Sequence, residues 1–315
     1  MKRQLIWLII LLACLTNVVV AQEINNKLQF SVLAEDDKFF KDLKVSDIQI
    51  KGTKRTSLTL KSDNSLEIII MIDASASQER TLPDEKKAAQ SFIKELLTSE
   101  KDKVAIISFT GVIALEQDFT NDFGKAKAQI EKIEFVPPSS YIGGGVMVGK
   151  PFPSKDQTNA GSTSIWDSTK KVIEVFSKVQ NSSNARRTIL LISDGVNTYG
   201  ESKLKEVVEY SIKMQIPIFA IGIGDEDYGG VDKKSLKKIT AETGGISVFP
   251  KKKLEDITQI LKIIEQSLRS NYELNFTFNS INSKNKLQEI EIEIINPALR
   301  KRKFQIIYPR GFIVP

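Results

Sequence analysis

Histidine is absent from the 315 residues, and cysteine occurs once, at Cys14. The missing histidine excludes Ser-His-Asp and Cys-His catalysis, and every zinc site built on imidazole. The scarcity of cysteine gains meaning from the first residues. Lys2 and Arg3 precede an apolar run from Leu5 to Cys14, and Val18-Val19-Val20-Ala21 leads to Gln22. A basic start, an apolar stretch and small residues at a cleavage point describe a secretory signal. Val19 and Ala21 suit the −3 and −1 positions, so residues 1–21 are read as a signal peptide cleaved after Ala21. The remaining chain would hold no cysteine, and an exported protein of this size then relies on its core instead of disulfides. Two other readings stay open. The run from Leu5 to Ala21 approaches the length of a bilayer span and would then be an uncleaved anchor. Leu11-Leu12-Ala13-Cys14 resembles a lipoprotein box, with Cys14 lipidated, although Leu12 fits that pattern poorly. Membrane association is expected only in those two cases.

Charge of one sign is also in short supply. The 45 basic and 39 acidic residues leave a net charge of +6. Lys2 and Arg3 are two of those 45, so without them 43 face 39, a net +4. This mild excess is spread along the chain and gives no reason to expect nucleic acid as a partner. No internal repeat or low-complexity tract is visible. A length of about 290 residues after cleavage suits one large domain or two smaller ones.

The middle of the chain alternates strands and helices. Glu67 to Asp73 is a continuous apolar run ending in a carboxylate, as expected for a strand covered on both faces. Pro83 to Leu97 reads as a helix, with Ala88, Phe92 and Leu96 at i, i+4 spacing. Strand 104–109, an edge strand at 113–119 and a helix at 125–133 follow. The rhythm then repeats through helix 164–179, strand 188–193, helix 204–214, strand 216–223, helix 234–243, strand 246–249 and helix 254–268. Gly244-Gly245 is a normal helix stop. Such alternation implies a doubly wound, mainly parallel sheet with helices on both faces, and ligands beyond the carboxyl ends of the strands.

The flanks differ. Leu28, Phe30 and Val32 alternate with polar residues, as do Ile48 and Ile50, then Leu58 and Leu60. Beyond the last helix Leu274, Phe276 and Phe278 alternate, as do Ile290, Ile292 and Ile294, then Phe304, Ile306 and Tyr308. Period two marks half-buried strands of an antiparallel sheet. Neither flank has enough strands to stand alone. The expected architecture is an α/β domain at 65–270, inserted in a small all-β sandwich built from 22–64 and 271–315. Two separate β extensions packed on the centre are the alternative.

Oxygen ligands collect at one edge of this fold. Asp73, Ser75 and Ser77 form D-x-S-x-S directly after a buried strand. Thr163 opens a helix, and Asp194 in Ser193-Asp194-Gly195 ends another buried strand. The five-residue motif alone is weak, and such residues often only cap turns and helices. Three distant segments converging on a strand edge carry more weight. Together these residues resemble the metal-ion-dependent adhesion site of von Willebrand factor type A domains, and the element order from about Ser65 to Ser270 is similar to that fold. Leu43-x-Val45-Ser46-Asp47-Ile48 and Tyr308-Pro309-Arg310-Gly311-Phe312 resemble a bacterial family of exported proteins related to these domains.

The resemblance implies that Ser75, Ser77 and Thr163 ligate a metal directly, while Asp73 and Asp194 act largely through water. One position then stays free for an outside oxygen, usually a partner's Asp or Glu. Two carboxylates and three hydroxyls suit Mg²⁺ first, with Mn²⁺ or Ca²⁺ as alternatives. The expected function is metal-dependent protein binding in the periplasm, at the cell envelope or outside the cell. A structural envelope component with a stabilising metal is the first alternative. A metal-assisted hydrolase is the second, with no evident general base of tuned pKa to support it.

Three further stretches carry weaker signals. Gly143-Gly144-Gly145 lacks the lysine and the preceding strand of a phosphate loop and reads as a flexible loop. Asp225, Glu226 and Asp227 read as a solvated turn, with a place near the metal edge as the alternative. Phe135 to Ala160, rich in proline, serine and glycine, runs straight into Thr163. It is expected either to shape partner choice or to be passive disorder.

Overall fold

In this computed structural model the described residues are 22–36, 38–51, 53–61, 64–137, 162–179, 185–250, 254–280 and 286–314. The expected signal peptide, Cys14 included, lies outside them. Among the described residues no helix is long and apolar enough to cross a membrane. In chain order the first elements are β1 (Gln22–Leu33), β2 (Ile48–Ile50), β3 (Lys54–Lys61), β4 (Leu66–Asp73), α1 (Leu82–Leu96), β5 (Lys103–Phe109) and β6 (Ile113–Thr120). Then come α2 (Phe123–Lys132), α3 (Ile165–Lys178), β7 (Arg186–Ser193), α4 (Leu204–Met214), β8 (Ile218–Gly222), α5 (Lys233–Thr243), β9 (Ser247–Val248) and α6 (Leu254–Arg269). The chain closes with β10 (Asn271–Ser280), β11 (Leu287–Glu289), β12 (Ile292–Ile294), α7 (Pro297–Arg300), β13 (Gln305–Ile307) and β14 (Gly311–Ile313).

The central sheet has six strands in the order β6-β5-β4-β7-β8-β9. All its pairings are parallel except β5 with β6, which is antiparallel and forms one edge. β4 is buried along its whole length, which is why its apolar run does not alternate. One face packs Ile68, Ile70 and Ile72 against α1 residues Ala88, Phe92 and Leu96; the other packs Ile69 and Met71 against α3 residues Ile165, Val172 and Phe176. The fold is thus the doubly wound sheet expected from the alternation.

The flanks join across the 237 residues between β1 and β10 because these two strands lie antiparallel, with Leu28 opposite Leu274 and Phe30 opposite Tyr272. They contribute a four-stranded sheet, β13-β1-β10-β3, and two two-stranded ladders, β11-β14 and β12-β2. Leu28, Phe30, Ile48, Ile50, Leu274, Phe276, Ile292 and Phe312 form one apolar core between these sheets. β10 is the inner strand, held by β1 on one side and β3 on the other. The antiparallel flanking sheets therefore accompany the parallel one as expected.

The two layers meet where α6 passes into β10. Unpaired carbonyls at the end of a helix need donors, and here the flanks and β7 provide them. Ser31 Oγ donates to the carbonyls of Ser267 and Ser270 at 2.9 and 3.1 Å. Arg186 Nη1 donates to those of Ser267 and Leu268. Arg269 itself forks onto both oxygens of fully buried Asp102, at 2.9 and 2.8 Å, and also reaches the carbonyls of Asn64 and Leu96. A second junction uses the C-terminal Tyr308–Phe312 stretch. Arg310 bonds Glu242 on α5 and Glu289 on β11. Gly244 allows it, since at φ +86° a Cβ there would lie 2.8 Å from the Pro309 nitrogen.

Candidate metal centre

Asp73 is the last residue of β4 and is fully buried. The strand ends there, and the chain turns through Ala74 while Ser75 to Gln78 fold back in a short 3-10 turn. That turn brings the three motif residues together. Asp73 Oδ1 accepts from the Ser75 N–H at 3.0 Å, and Ser75 Oγ lies 3.2 Å from Ser77 Oγ. Asp194 follows β7, the strand beside β4, so the parallel register carries it to the same edge. Ser77 and Gln78 lie beside its carboxylate and favour its charged form, and its Oδ1 accepts from the Val196 N–H at 2.8 Å. Thr163 is buried at the head of α3. Its N–H donates to Thr198 Oγ1 at 2.9 Å, and its carbonyl accepts from the N–H groups of Thr198 and Tyr199 at 2.9 and 3.1 Å. This lashes the Thr163 segment to the loop that begins at Asp194. Ser164 fixes it from the other side by donating to the Thr110 carbonyl at 2.9 Å.

Several residues of this cluster are invisible in the motif. Ser193 Oγ donates to Asp73 Oδ2 at 2.7 Å and accepts from the Gly195 N–H at 3.0 Å, tying the two carboxylate segments together. Its signal was a lone hydroxyl at the end of an apolar strand. Gln78 is also fully buried and donates to Ser77 Oγ at 3.3 Å. Gly224 lets the loop after β8 press against the site, because a Cβ there would lie 2.9 Å from Asp194 Cβ. The acidic turn that follows is both solvated and at this edge. Arg80, just past Ser77, pairs with Asp225 at 3.3 Å and Asp227 at 2.7 Å. Of the Phe135–Ala160 stretch, residues 138–160 lie outside the described residues, as does Gly143-Gly144-Gly145.

The electrostatics show what the cluster lacks. Burial, and then the Asp194 charge, push the Asp73 carboxyl up to about 7. Burial also raises Asp194. Glu85, on the first turn of α1, is fully buried and is driven well above its ordinary range by burial and then by Asp73 and Asp194. None of the three makes a salt bridge among the described residues. Buried carboxylates this close together need a counter-charge or a proton. The donor set of hydroxyl and carboxylate oxygens is the hard type that Mg²⁺ and Mn²⁺ prefer, so the residues fit a divalent cation. No group of three or more Asp, Glu, His or Cys side chains among the described residues is placed to hold one ion directly, so hydroxyls would have to supply much of the coordination.

Two family models, both described as the von Willebrand factor type A domain, match the chain, one over residues 68–197 and the other over 154–263. The chain belongs to the von Willebrand factor type A domain proteins. Such domains generally mediate protein interactions, commonly through a divalent metal, and most are not enzymes. No curated protein matches the chain. Among solved structures it is similar to BatB from Bacteroides thetaiotaomicron, at 19% identity over 64% of this chain and 98% of that one, with a TM-score of 0.47. It is also similar to a von Willebrand factor type A protein from Catenulispora acidiphila, at 10% identity, 93% and 74% coverage and a TM-score of 0.48. A third is proximal thread matrix protein 1 from the mussel byssus with a zinc-occupied metal-ion-dependent adhesion motif, at 17% identity, 66% and 48% coverage and a TM-score of 0.44. The assignment rests on the family models and not on these distant likenesses.

Proposed function

We propose that this is an exported protein-binding module that holds its partner through a divalent cation, most simply Mg²⁺, bound by Ser75, Ser77 and Thr163 with Asp73 and Asp194 behind them. The observation that carries this reading is the hydrogen-bonded cluster at the carboxyl edge of β4 and β7. There Ser75, Ser77 and Asp194 are mutually oriented, and two buried carboxylates lack a protein counter-charge. A bound cation would supply an electrophilic centre that accepts an oxygen from outside the chain. Asp73 orients the motif by accepting from the Ser75 N–H and Ser193 Oγ, and the serine hydroxyls would then be the groups to hold the ion. Few direct anionic ligands keep such an ion electrophilic, so the fitting partner group is an Asp or Glu carboxylate on another protein. The basic start and apolar run of residues 1–21 support export, to the periplasm, the envelope or the medium.

The test is a pull-down from envelope extract with the wild-type protein and with Asp73→Ala, each in Mg²⁺ and in EDTA. A partner retained by wild type in Mg²⁺ and lost in both other conditions is expected. A partner held equally in EDTA would rule out metal-dependent binding.

A further inference from the structure

A cavity of about 90 Å³ lies at the end of β7 opposite to Asp194, where the flanks meet the α/β layer. One wall comes from β1, with Lys27 and Leu28, and from the C-terminal stretch, with Phe312. The other comes from the end of α4 and its connection to β8, with Lys213 and Ile216. Arg186, the first residue of β7, lines it too. Three lining residues are thus basic, and among the described residues none that lines it is acidic.

Arg186 is the cation that its surroundings leave unsatisfied. Its Nη1 donates to the carbonyls of Ser267 and Leu268 at the end of α6, but its Nε is buried and has no hydrogen-bond partner among the described residues. Nor does Arg186 make a salt bridge among them, whereas the adjacent Arg187 pairs with Glu67 at 2.9 Å. Burial lowers the Arg186 guanidinium to about 10, with no acidic neighbour acting on it, so it stays charged at neutral pH. Buried charges are normally paired. Of the two lysines, Lys27 pairs with Glu273 at 2.9 Å, and Lys213 has no ion pair among the described residues.

Water alone fills such a cavity poorly. A buried water needs about two to four polar partners, and the Leu28, Ile216 and Phe312 side chains offer none. A tetrahedral anion meets the same difficulty, because its oxygens point in every direction. A carboxylate has both oxygens at one end, which suits the planar fork of a guanidinium, and a short alkyl body suits the apolar walls. Size sets the limit. An apolar cavity of about 150 Å³ accommodates benzene, so this one takes roughly four to five heavy atoms.

We propose that this cavity binds a small free monocarboxylate, of acetate to propionate size, held by Arg186 with Lys27 and Lys213 at the rim. The site is separate from the metal centre, and neither reading depends on the other. Its walls come from both layers, so an occupant bridges them and stabilises their junction by mass action.

The experiment titrates propionate into the purified protein by isothermal calorimetry at constant ionic strength, with propionamide and inorganic phosphate as parallel probes. Hydrogen exchange over residues 26–29 and 311–313 locates the site. Propionate is expected to bind with a Kd on the order of 1 mM or tighter, which about five heavy atoms can support, and to slow exchange in both segments. Propionamide keeps the shape without the charge and should bind about 10-fold more weakly or worse. Phosphate should also bind more weakly than propionate. Arg186→Gln should weaken propionate about 10-fold or more. Should Arg186→Gln not fold, Lys213→Glu on the exposed rim is read instead, with a loss of about two- to fivefold expected. No saturable binding by the wild type, equal affinity for propionamide or phosphate, or binding without protection of those two segments overturns the proposal. An unchanged Kd in the variant that is read overturns it as well.

Discussion

Asp73 has two jobs that conflict without a cation: it orients Ser75 and Ser193, and it sits fully buried beside Asp194. Its carboxyl titrates at about 7 in the fold against an ordinary 3.8. Between those values the folded protein holds more protons than the unfolded chain, so raising the pH favours unfolding until the folded group has ionised. Metal-free protein should therefore lose stability as the pH rises from about 4 to about 7. A cation that binds only the folded state adds roughly 2.7 kcal/mol at a hundredfold excess over its Kd. Melting curves at pH 5 and pH 8, in EDTA and in millimolar Mg²⁺, should show the larger Mg²⁺-induced rise at pH 8. Asp73→Ala should abolish the rise at both values. Identical curves for wild type and variant would mean that no ion binds there. The motif residues were readable at this scale because each stands at a strand end or helix start. Glu85, a carboxylate interrupting the apolar stripe of α1, was not singled out, because the stripe alone does not say which charges lie opposite it.

Among the elements, β10 bears the most on how the flanks depend on each other. It is paired along both edges, so its loss leaves β1 and β3 without their shared neighbour. A chain ending at Ser270 but keeping residues 22–64 would expose Leu28, Phe30 and Val32, which are buried in the intact protein. It should aggregate or show a protease-sensitive N-terminal segment, whereas a chain of residues 65–270 should stay soluble and protease-resistant. Equal resistance of both would favour independent flanks. Period-two alternation made these strands legible. Their pairing was not, because alternation marks a face and leaves the neighbour open. α7 escaped notice for another reason. Asn296 and Pro297 form a proper start, with the Asn296 side chain accepting from the Ala298 N–H, but four residues are too short for a periodic signal. The strand expected at 246–249 is reduced to Ser247–Val248, an edge element paired with β8.

For the whole molecule the question is whether the candidate metal edge and the flanking antiparallel sheets communicate through α6. The far end of α6 is held by Ser31, Asn64, Arg186 and Arg269, and the Arg269 fork onto Asp102 reaches the loop before β5. Moving that end would strip buried carbonyls of their donors and part a buried ion pair, the latter alone costing about 3–5 kcal/mol. A ligand shifts such an equilibrium only by its differential affinity for the two states. Hydrogen exchange over 271–278 should therefore remain unchanged when Mg²⁺ is added. Faster exchange there would instead show that the helix end moves.

The sequence by itself determined the period of every major element and the five oxygen ligands proposed for the metal. It also determined the division between a continuous-apolar centre and alternating flanks, since all of these follow from local spacing and side-chain chemistry. Only the tertiary structure decided what faces what. The pairing of β1 with β10, the docking of Tyr308–Phe312 on α5 and the bond from Ser193 to Asp73 each join segments far apart in the chain. Contacts of that range are set by how whole layers fill space and satisfy buried polar groups, which no local pattern encodes.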